Sequence, residues 1–477
     1  MKKESLKTIL ILCISLLFTF CAEGKERAVL TQKMVDKSKG KLVISQDYTL
    51  NGAKIVLPHK KTIIFAGGSL DNGELVGNEN RIEITQTSPF LGRSLVISGT
   101  WDVNEVHDWW FEFDARDDFV SNQIISNALA FSNDSTGCHI FFNEDRVYYF
   151  ELPYKGKANL GDMFSYHIND KGEKKRHYIE VYNDEYSFLR IFTIPSHTHF
   201  TVNSTLQMLP TNLGAYFVFW EYGKEYITID GHGTIAADNL NHLYNAPYAG
   251  KKYYGEWGTI FMCKKCRNFR FEDITLQDSF GDCLYFEGSN LAGESGSRYA
   301  ENLVLKNVKI KRARRNGIAL GVRNATISGC HFEGCGSKEI KGTAPRSAID
   351  FEPDRIKQYP EIGNQNVVME NCTFRDNYFD VASYLNNLSN YGQTATTIRN
   401  CRFTAPIKIQ STYWMRFENC YIPFVRNSKD DKSLMRYSRH MEFVNCEFGE
   451  YDTSVLGKAS KVYNKYTNCK FNTAVKK

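Results

Sequence analysis

The sequence has almost no excess of charge. Its 59 Lys and Arg residues nearly balance its 54 Asp and Glu residues and leave a net charge of +5. Proteins that bind nucleic acid through its phosphates usually carry a concentrated basic face, which this balance does not indicate. No nucleotide-binding glycine loop precedes a plausible helix. We therefore expect neither nucleic acid nor a nucleotide as a partner.

A second absence is that of a transmembrane segment. The one long apolar run, residues 6–20, follows a basic start and is too short to span a bilayer, which is typical of a signal peptide. We expect residues 1–24 to be a signal peptide, cleaved after Ala22 or Gly24, with a lipid anchor at Cys21 as the alternative. The mature protein is then soluble in, or tethered facing, an extracytoplasmic space.

The composition favours strands. Hydrophobic residues make up 42% of the chain and charged residues 24%, as in a soluble globular protein. Aromatic residues make up 14%, more than a helix bundle needs. The 477 residues would suit two or three ordinary domains, but repeat folds often exceed that size.

Thirteen cysteines in an exported chain would normally indicate disulfides. Six of them, however, recur in one local pattern of a turn residue, Cys, an exposed polar residue and a large apolar residue. Cys and the apolar residue then share the inward face of a period-2 strand. The six, separated by 19 to 42 residues, are Cys330, Cys372, Cys401, Cys420, Cys446 and Cys469.

Such a repeat with variable insertions is typical of a solenoid that stacks one core and lets its loops vary. We expect an all-β protein, a single-stranded right-handed parallel β-helix over residues 113–477, with the cysteines in an interior ladder instead of disulfides. Cys263 and Cys266 form a zinc or redox half-motif without a second pair, so we interpret them as strand residues.

The N-terminal part is predicted to differ. Residues 25–112 contain short strands and glycine turns, which indicate opening coils or a small separate β region. An amphipathic segment near 119–131 predicts a capping helix that covers the open end of the solenoid, with Asp117 or Asp118 as its N-cap.

Two segments resemble known proteins. Residues 62–111, with a Phe-x-Gly-Gly-x-Leu-x-Asn-Gly run and a later Gly-Thr-Trp, resemble the leader of many exported β-helix proteins of gut Bacteroides-type bacteria. Residues 194–354 resemble a group of β-helix proteins shared by bacteria and phage tailspikes. The matching motifs are Asp230-Gly231-His232-Gly233-Thr234-Ile235, Glu256-Trp257-Gly258, Gly281-Asp282, Arg314-Arg315-Asn316-Gly317, Gly342-Thr343-Ala344-Pro345 and Ile349-Asp350-Phe351-Glu352-Pro353.

The resemblance implies the fold and polysaccharide handling, through either lyase or hydrolase members. It also implies a periplasmic, outer-membrane or extracellular location in a Gram-negative bacterium. The motifs of pectate lyases and polygalacturonases are not matched, because the paired Asp of the latter is reduced here to Asp282.

Strands that follow a turn can be aligned, which puts Leu284, Ile318 and Ile349 inward. Acids then share one outer face, and the small Ala319 and Gly321 between them leave a slot for a sugar. Neighbouring coils are about 4.8 Å apart, so Asp350 with Asp380 or with Glu352 are candidate carboxylate pairs for acid–base glycoside cleavage or for calcium. The outward residues are Tyr285, Glu287, Asp350, Glu352 and Asp380.

Basic residues crowd the same stretch and suggest a polyanionic substrate. Cleavage of a uronate polymer by β-elimination requires neutralisation of its carboxylate, for which Arg315 is the preferred candidate with Arg314 or Arg346 behind it. His242 is a candidate base. Glu256 and Trp257 are candidates for a carboxylate and an aromatic platform that bind a sugar.

The leading hypothesis is a polysaccharide lyase acting on an acidic glycan such as a glycosaminoglycan. A glycoside hydrolase on the same scaffold and a non-catalytic glycan-binding protein are the alternatives, since the fold does not decide among them. Calcium is the one cofactor considered. The catalytic candidates are Asp282, His242, Arg314, Arg315, Asp350 and Glu352, and the substrate-binding candidates are Glu256, Trp257, Tyr285, Arg346 and Asp380.

Overall fold

A computed structural model describes residues 27–114, 121–151, 166–168, 174–176, 190–211, 215–242, 257–288, 299–336, 344–353, 364–384, 395–410, 412–425, 440–452 and 464–475. They form two compact units, one up to Gly99 and one from Thr100. The predicted signal peptide with Cys21, the helix caps Asp117 and Asp118, and Glu256 lie outside the described residues.

The first unit contains a short helix and parallel strands. Helix α1, Gln32–Lys37, begins after Thr31, whose side chain accepts a hydrogen bond from the Met34 N–H. The strands pair in parallel, as stacked coils do and hairpins do not. They are Ala28–Val29, Lys41–Ile44, Tyr48–Thr49, Lys54–Val56, Thr62–Phe65, Leu70–Asp71, Gly73–Ile84 and Leu95–Trp101.

The second unit is built from three parallel sheets. Sheet I contains Glu105–His107, His139–Phe142, His199–Val202, Glu225–Asp230, Arg267–Glu272, Ala300–Lys306, the second half of Ile318–Ser328, Gln365–Glu370, Thr396–Arg399, Met415–Glu418, Glu442–Val444 and Lys465–Thr467. Sheet II contains Val147–Phe150, Thr205–Met208, Thr234–Ala236, Thr275–Gln277, Lys309–Lys311, His331–Glu333 and Thr373–Arg375, and a further group of Tyr421–Val425, Glu447–Asp452 and Lys470–Val475. Sheet III contains Arg190–Phe192, Ala215–Tyr222, Trp257–Lys264, Leu284–Glu287, the first half of Ile318–Ser328, Ser347–Phe351, Phe379–Tyr384 and Ile407–Gln410.

The chain visits the three sheets in turn. One coil runs from Trp257–Lys264 in sheet III through Arg267–Glu272 in sheet I to Thr275–Gln277 in sheet II, and the next coil starts with Leu284–Glu287 in sheet III. The pairing between successive coils is parallel, so the parallel β-helix predicted from the repeat is confirmed. Among the described strands, one pair is antiparallel, Tyr166–Ile168 with Lys174–Arg176.

The cysteines form the predicted interior ladder. All eleven described cysteines are free thiols, and ten of them are buried, Cys263 and Cys266 included. Contacts between successive thiols and burial raise the pKa of Cys401 and of Cys446. A small side chain of this kind fits wherever two coils approach closely.

Two further ladders run beside the thiols. Successive phenylalanines stack inside the helix, with ring centroids 5.2 Å apart for Phe332 and Phe374 and 5.0 Å apart for Phe374 and Phe403. The residue before Cys is an Asn in the left-handed region, at φ between 51° and 55°, and each Asn amide after the first donates to the Asn one coil earlier. These asparagines are Asn371, Asn400, Asn419, Asn445 and Asn468.

Helix α2, Asn122–Ala130, lies within the segment predicted to be a capping helix. Ser121 occupies the N-cap position, and its backbone N–H donates to the Tyr149 carbonyl. The buried face of α2 is apolar, and Phe131 at its C-terminus packs edge-on against Trp101 and Trp110 beside the first strand of sheet I. Among the described residues, no helix combines the length and the apolar character needed to cross a membrane.

Candidate functional site

The outer face of sheet III carries the predicted acids. Leu284 pairs with Ile318 and Ile318 with Ile349, so Tyr285, Ala319 and Asp350 follow one another outward on successive coils. The predicted register of these three coils is therefore confirmed.

The register of the next coil is shifted from the prediction. Asp350 pairs with Ala382, and Asp380 lies two residues earlier in its strand. A shift of two residues keeps the side chain on the same face but moves it along the strand. The expected pairing of Asp350 with Asp380 is therefore wrong.

Asp380 is instead bonded to the coil that follows. Its buried carboxylate accepts hydrogen bonds from the backbone N–H groups of Thr404 and Ala405, at 2.6 and 2.8 Å. The amide of Asn377 donates to it at 2.9 Å. Burial raises the pKa of this carboxyl, and these hydrogen bonds oppose the rise.

The expected sugar slot at Gly321 is also wrong. A β-carbon on Gly321 would lie 3.0 Å from Cβ of Pro353 and 3.1 Å from Cγ of Glu287. Pro353 follows the acids on the next strand, so the chain itself fills the space above the glycine. Ala319 is 2% exposed. The small residues accommodate neighbouring side chains instead of a sugar.

Two successive turns between sheets II and III place the first charged pair. The backbone N–H groups of Arg314 and Arg315 donate to the carbonyls of Ser279 and Gly281, so the two turns stack. This brings Nη1 of Arg315 to 2.6 Å from Oδ2 of Asp282. The side chains of this pair are 9% and 0% exposed, so the charges meet away from water.

Asn316 links this pair to Asp350. Its backbone N–H donates to Oδ1 of Asp282 at 2.9 Å, and its side-chain amide donates to Oδ2 of Asp350 at 3.3 Å. Its side-chain oxygen accepts from the N–H of Ser347, which starts the strand that carries Asp350. Asn316 therefore links two carboxylates that lie on the coils before and after its own.

Lys264, Tyr285 and Glu287 form the second buried group. The Lys264 ammonium lies 4.4 Å from the centre of the Tyr285 ring and 3.7 Å from a Glu287 carboxylate oxygen. The Tyr285 hydroxyl donates to Glu287 at 3.1 Å. The Lys264 and Glu287 side chains are 3% and 1% exposed. Register explains the contact, since Lys264 pairs with Glu287 and Met262 with Tyr285.

Asp350 lies between the two groups. Its burial raises the pKa of its carboxyl well above the usual range, and the negative charge of Glu352 raises it further. Arg315 lowers this pKa, while Asp282 and Glu287 raise it. Oδ1 has no hydrogen-bond partner among the described residues. Burial therefore favours the protonated form of Asp350, which has one oxygen available to donate a proton.

Glu352 is the more open acid of this cluster. It lies two residues after Asp350, just past the end of the strand Ser347–Phe351, and is only half-buried, whereas Asp350 is 1% exposed. A ligand that approached from solvent would meet Glu352 first.

His242 and Arg314 belong to a neighbouring buried cluster. Nδ1 of His242 lies 2.9 Å from Asp238, which also accepts from the Tyr216 hydroxyl at 2.6 Å. The His242 ring stacks on Phe280 at 4.0 Å, and the Arg314 guanidinium lies 3.9 Å from the centre of the same ring. Arg314 also donates to the Phe280 carbonyl. Phe280 joins these two candidates to the turn that holds Asp282.

The other sequence candidates lie elsewhere or carry no side-chain description. The Arg346 guanidinium packs 3.6 Å from the centre of the Tyr378 ring. Trp257 begins its strand opposite Ala215, and nothing is described of its side chain. Among the described residues, no group of three or more His, Cys, Asp and Glu residues is arranged to hold a metal ion. Calcium stays a prediction from the sequence.

Three residues of the site were not among the sequence candidates: Lys264, Glu287 and Asn316. Glu287 was aligned on the outward face together with Tyr285, and this was the signal available for it. Lys264 lies between two cysteines that suggested strand packing, and its partner is 23 positions away. Asn316 was interpreted as a turn residue.

No protein-family model matches the chain. A curated relative, the uncharacterized protein YclG of Bacillus subtilis, is 28% identical over 193 residues, which cover 39% of this chain and 31% of YclG. The match thus spans about a third of the length of that relative.

Solved structures of parallel β-helix proteins are similar at low identity. They include the tailspike gp49 of Acinetobacter baumannii bacteriophage Fri1, a capsular polysaccharide depolymerase, at 12% identity, TM-score 0.41 and coverage of 79% of this chain and 64% of that one. The family 28 exopolygalacturonase of Yersinia enterocolitica is 10% identical, at TM-score 0.42 and coverage of 79% and 76%. The Streptococcus pneumoniae adhesin PfbA is 10% identical, at TM-score 0.30 and coverage of 93% and 92%. Likenesses of this size assign no activity to this chain.

Proposed function

We propose that this protein cleaves glycosidic bonds of an extracellular polysaccharide by general acid–base catalysis, with Asp350 as the acid. The observation that carries the proposal is a buried carboxyl group whose pKa is raised, followed two residues later by a second, more open acid. Enzymes that cleave glycosides use such a pair, because one group must donate a proton while the other activates water or attacks the sugar.

Asp350 donates its proton to the oxygen of the departing sugar. Glu352 follows Asp350 by two residues, just past the end of the strand Ser347–Phe351, and serves as the general base. Glu352 removes a proton from a water molecule as the water attacks the anomeric carbon.

Arg315, Asp282 and Asn316 are positioning residues in this mechanism. Arg315 is bonded to Asp282 at 2.6 Å, and Asn316 bonds both Asp282 and Asp350. Arg315 is therefore engaged by a protein carboxylate, whereas β-elimination needs an arginine that binds a substrate carboxylate. This contact makes us favour hydrolysis over elimination.

A lyase remains the second candidate because of Lys264 and Tyr285. The ammonium lies against the ring and 3.3 Å from the hydroxyl of Tyr285, so a cation stands beside a hydroxyl group that could serve as a base. Such a tyrosine can abstract the proton next to a uronate carboxylate. A glycosaminoglycan or another uronate polymer would then be the substrate.

The polysaccharide substrate is supported by the sequence resemblance of residues 194–354 to β-helix proteins of bacteria and tailspikes. Export through the segment at residues 1–24 would place the protein where such polymers occur. Because an acid pair acts on the glycosidic oxygen and the anomeric carbon, it suits neutral and acidic polymers alike.

One assay separates the candidates. The protein is incubated with chondroitin sulfate, hyaluronan, heparin, alginate, pectin and neutral glucans, and both new reducing ends and ultraviolet absorbance of unsaturated uronates are followed. Reducing ends alone support the hydrolase, and reducing ends with absorbance support the lyase. Binding without either signal across this panel contradicts both enzymes and supports a glycan-binding protein.

A further inference from the structure

Tyr384 differs from the other aromatic residues of sheet III. It is the last residue of the strand Phe379–Tyr384 and is 37% exposed. Among the described residues, it is the one large apolar or aromatic side chain of sheet III with more than a third of its surface exposed. Trp220 and Tyr285 on the same outer face are 5% and 6% exposed.

The register places Tyr384 beside the open end of the acid cluster. Phe351 pairs with Ser383 on the next coil, Tyr384 follows Ser383 at the end of its strand, and Glu352 follows Phe351 just past the end of its own strand. One coil is about 4.8 Å. The most exposed ring of the sheet is thus the neighbour of the more open acid.

A second exposed tyrosine shows how the surface otherwise accommodates such a ring. Tyr226 of sheet I is 54% exposed, and its ring stacks in parallel on His197 with a centroid distance of 5.1 Å. Tyr226 therefore has a protein ring as its neighbour in the stack. Tyr384 instead lies near Glu352, and a sugar needs an aromatic ring with a polar group beside it.

A pyranose ring has an apolar C–H face and polar hydroxyl groups around its edge. Binding sites match this with an aromatic side chain under the face and a few polar groups at the edge. Tyr384 supplies the first and Glu352 the second.

We propose that Tyr384 is a sugar-binding residue, on whose exposed ring a pyranose next to the cleaved bond stacks. This inference rests on the proposed cleavage of a polysaccharide. With its face on Tyr384 and its edge toward Glu352, the sugar places its glycosidic bond over the coil that carries Asp350.

Binding is measured apart from catalysis, in the Asp350→Asn background, by affinity electrophoresis in gels that contain each glycan of the panel. Tyr384→Ala should weaken retardation by the best glycan on the order of 10-fold, since one aromatic contact of this kind is lost. Tyr384→Phe keeps the ring and should stay within about twofold. Tyr226→Ala removes a tyrosine of similar exposure elsewhere and should change nothing.

Kinetics of the otherwise unmodified protein give a second measurement. Tyr384→Ala should raise KM on the order of 10-fold, with a smaller change in kcat. Retardation and KM equal to those of the parent protein would overturn the role of Tyr384 and leave the proposed cleavage intact. The same holds if Tyr226→Ala weakens binding as much as Tyr384→Ala. Absence of retardation by every glycan, together with absence of cleavage, would overturn the proposed function and this inference with it.

Discussion

The C-terminal coils and the middle coils have the same parallel pairing of strands but differ in which side chains meet between successive coils. In the coils from Asn371 onward, like side chains stack on like, as Asn on Asn, thiol on thiol and ring on ring. On the outer face of sheet III, between Lys264 and Glu352, each side chain meets an unlike partner on the next coil. Stacking of like side chains stabilises the C-terminal coils. Where this repeat is interrupted, buried acids and opposite charges come into contact between neighbouring coils.

The largest effect is expected where the middle coils depart most from the repeat. Asp350→Asn should lower the cleavage rate by roughly 10²–10⁴-fold, since the amide has no proton to donate as an acid. The variant should be at least as stable as the parent in unfolding, because the amide has the shape of the acid and removes the cost of keeping a buried carboxyl protonated. Rates are measured by reducing ends and stability by urea unfolding.

Glu370→Gln is the matched control, since it removes an acid from the outer face of sheet I, where Glu370 is bonded to Arg399. It should leave the cleavage rate unchanged. An Asp350→Asn protein that unfolds far more readily than the parent would show that Asp350 serves the fold.

A change inside the repeat should lower stability and leave the cleavage rate unchanged. Phe374→Ala removes a buried ring that stacks on Phe332 and Phe403, and should lower the free energy of unfolding by about 3–5 kcal/mol. The rate per folded molecule should be unchanged. Arg375→Ala, whose side chain is 62% exposed, is the control with little expected effect. Loss of activity in a folded Phe374→Ala protein would contradict the separation of the two regions.

A smaller effect is expected in the Asn ladder. Asn419 has φ of 51°, a region that costs a non-glycine residue roughly 1–2 kcal/mol. Asn419→Ala loses the bonds to Asn400 and Asn445 and keeps this strain, so we expect a loss of about 1–2 kcal/mol in urea unfolding. Asn419→Gly relieves the strain and should be less destabilising than Ala. The reverse order would show that the ladder bonds contribute little.

The smallest expected effect is a shift of the pH–rate profile. Asp350 must be protonated to act as an acid, so the rate should fall as pH rises through its raised pKa. Glu287 is one of the charges that raise this pKa. Glu287→Gln should therefore move the alkaline limb of the pH–rate profile to lower pH. A limb that stays in place, or moves to higher pH, would contradict the assignment of that limb to Asp350.

The raised pKa of Asp350 also determines how the free energy of unfolding changes with pH. Folded Asp350 keeps its proton at pH values where the unfolded chain has lost it, so its contribution to stability is full below the unfolded pKa and is lost as pH rises through the folded pKa. Other buried acids, such as Asp380, also have a raised pKa. Comparison of the parent protein with Asp350→Asn isolates the part due to Asp350, and the parent should lose stability relative to this variant as pH rises.

The sequence predicted the fold because the repeat is local. A Cys followed two residues later by Phe fixes the inward face, and the apolar residues Leu284, Ile318 and Ile349 align on successive coils. Alternation fixes the face but not the position along the strand, which is why Asp380 was placed two residues away from its true register. Pro353 above Gly321 and Lys264 beside Glu287 depend on contacts between coils that spacing in the sequence does not reveal.

The thiol ladder has a consequence for the lifetime of the protein. Burial raises the pKa of Cys138 to about 11 and that of Cys335 to about 12, and the thiolate is the form that oxidises or exchanges. Folded, the chain therefore tolerates an oxidising medium without a single cross-link among its described cysteines. Once opened there, its thiols regain ordinary reactivity and become oxidised or mispaired before the coils can restack. Unfolding in such a medium is then a one-way event, and the rate of opening determines how long a molecule survives.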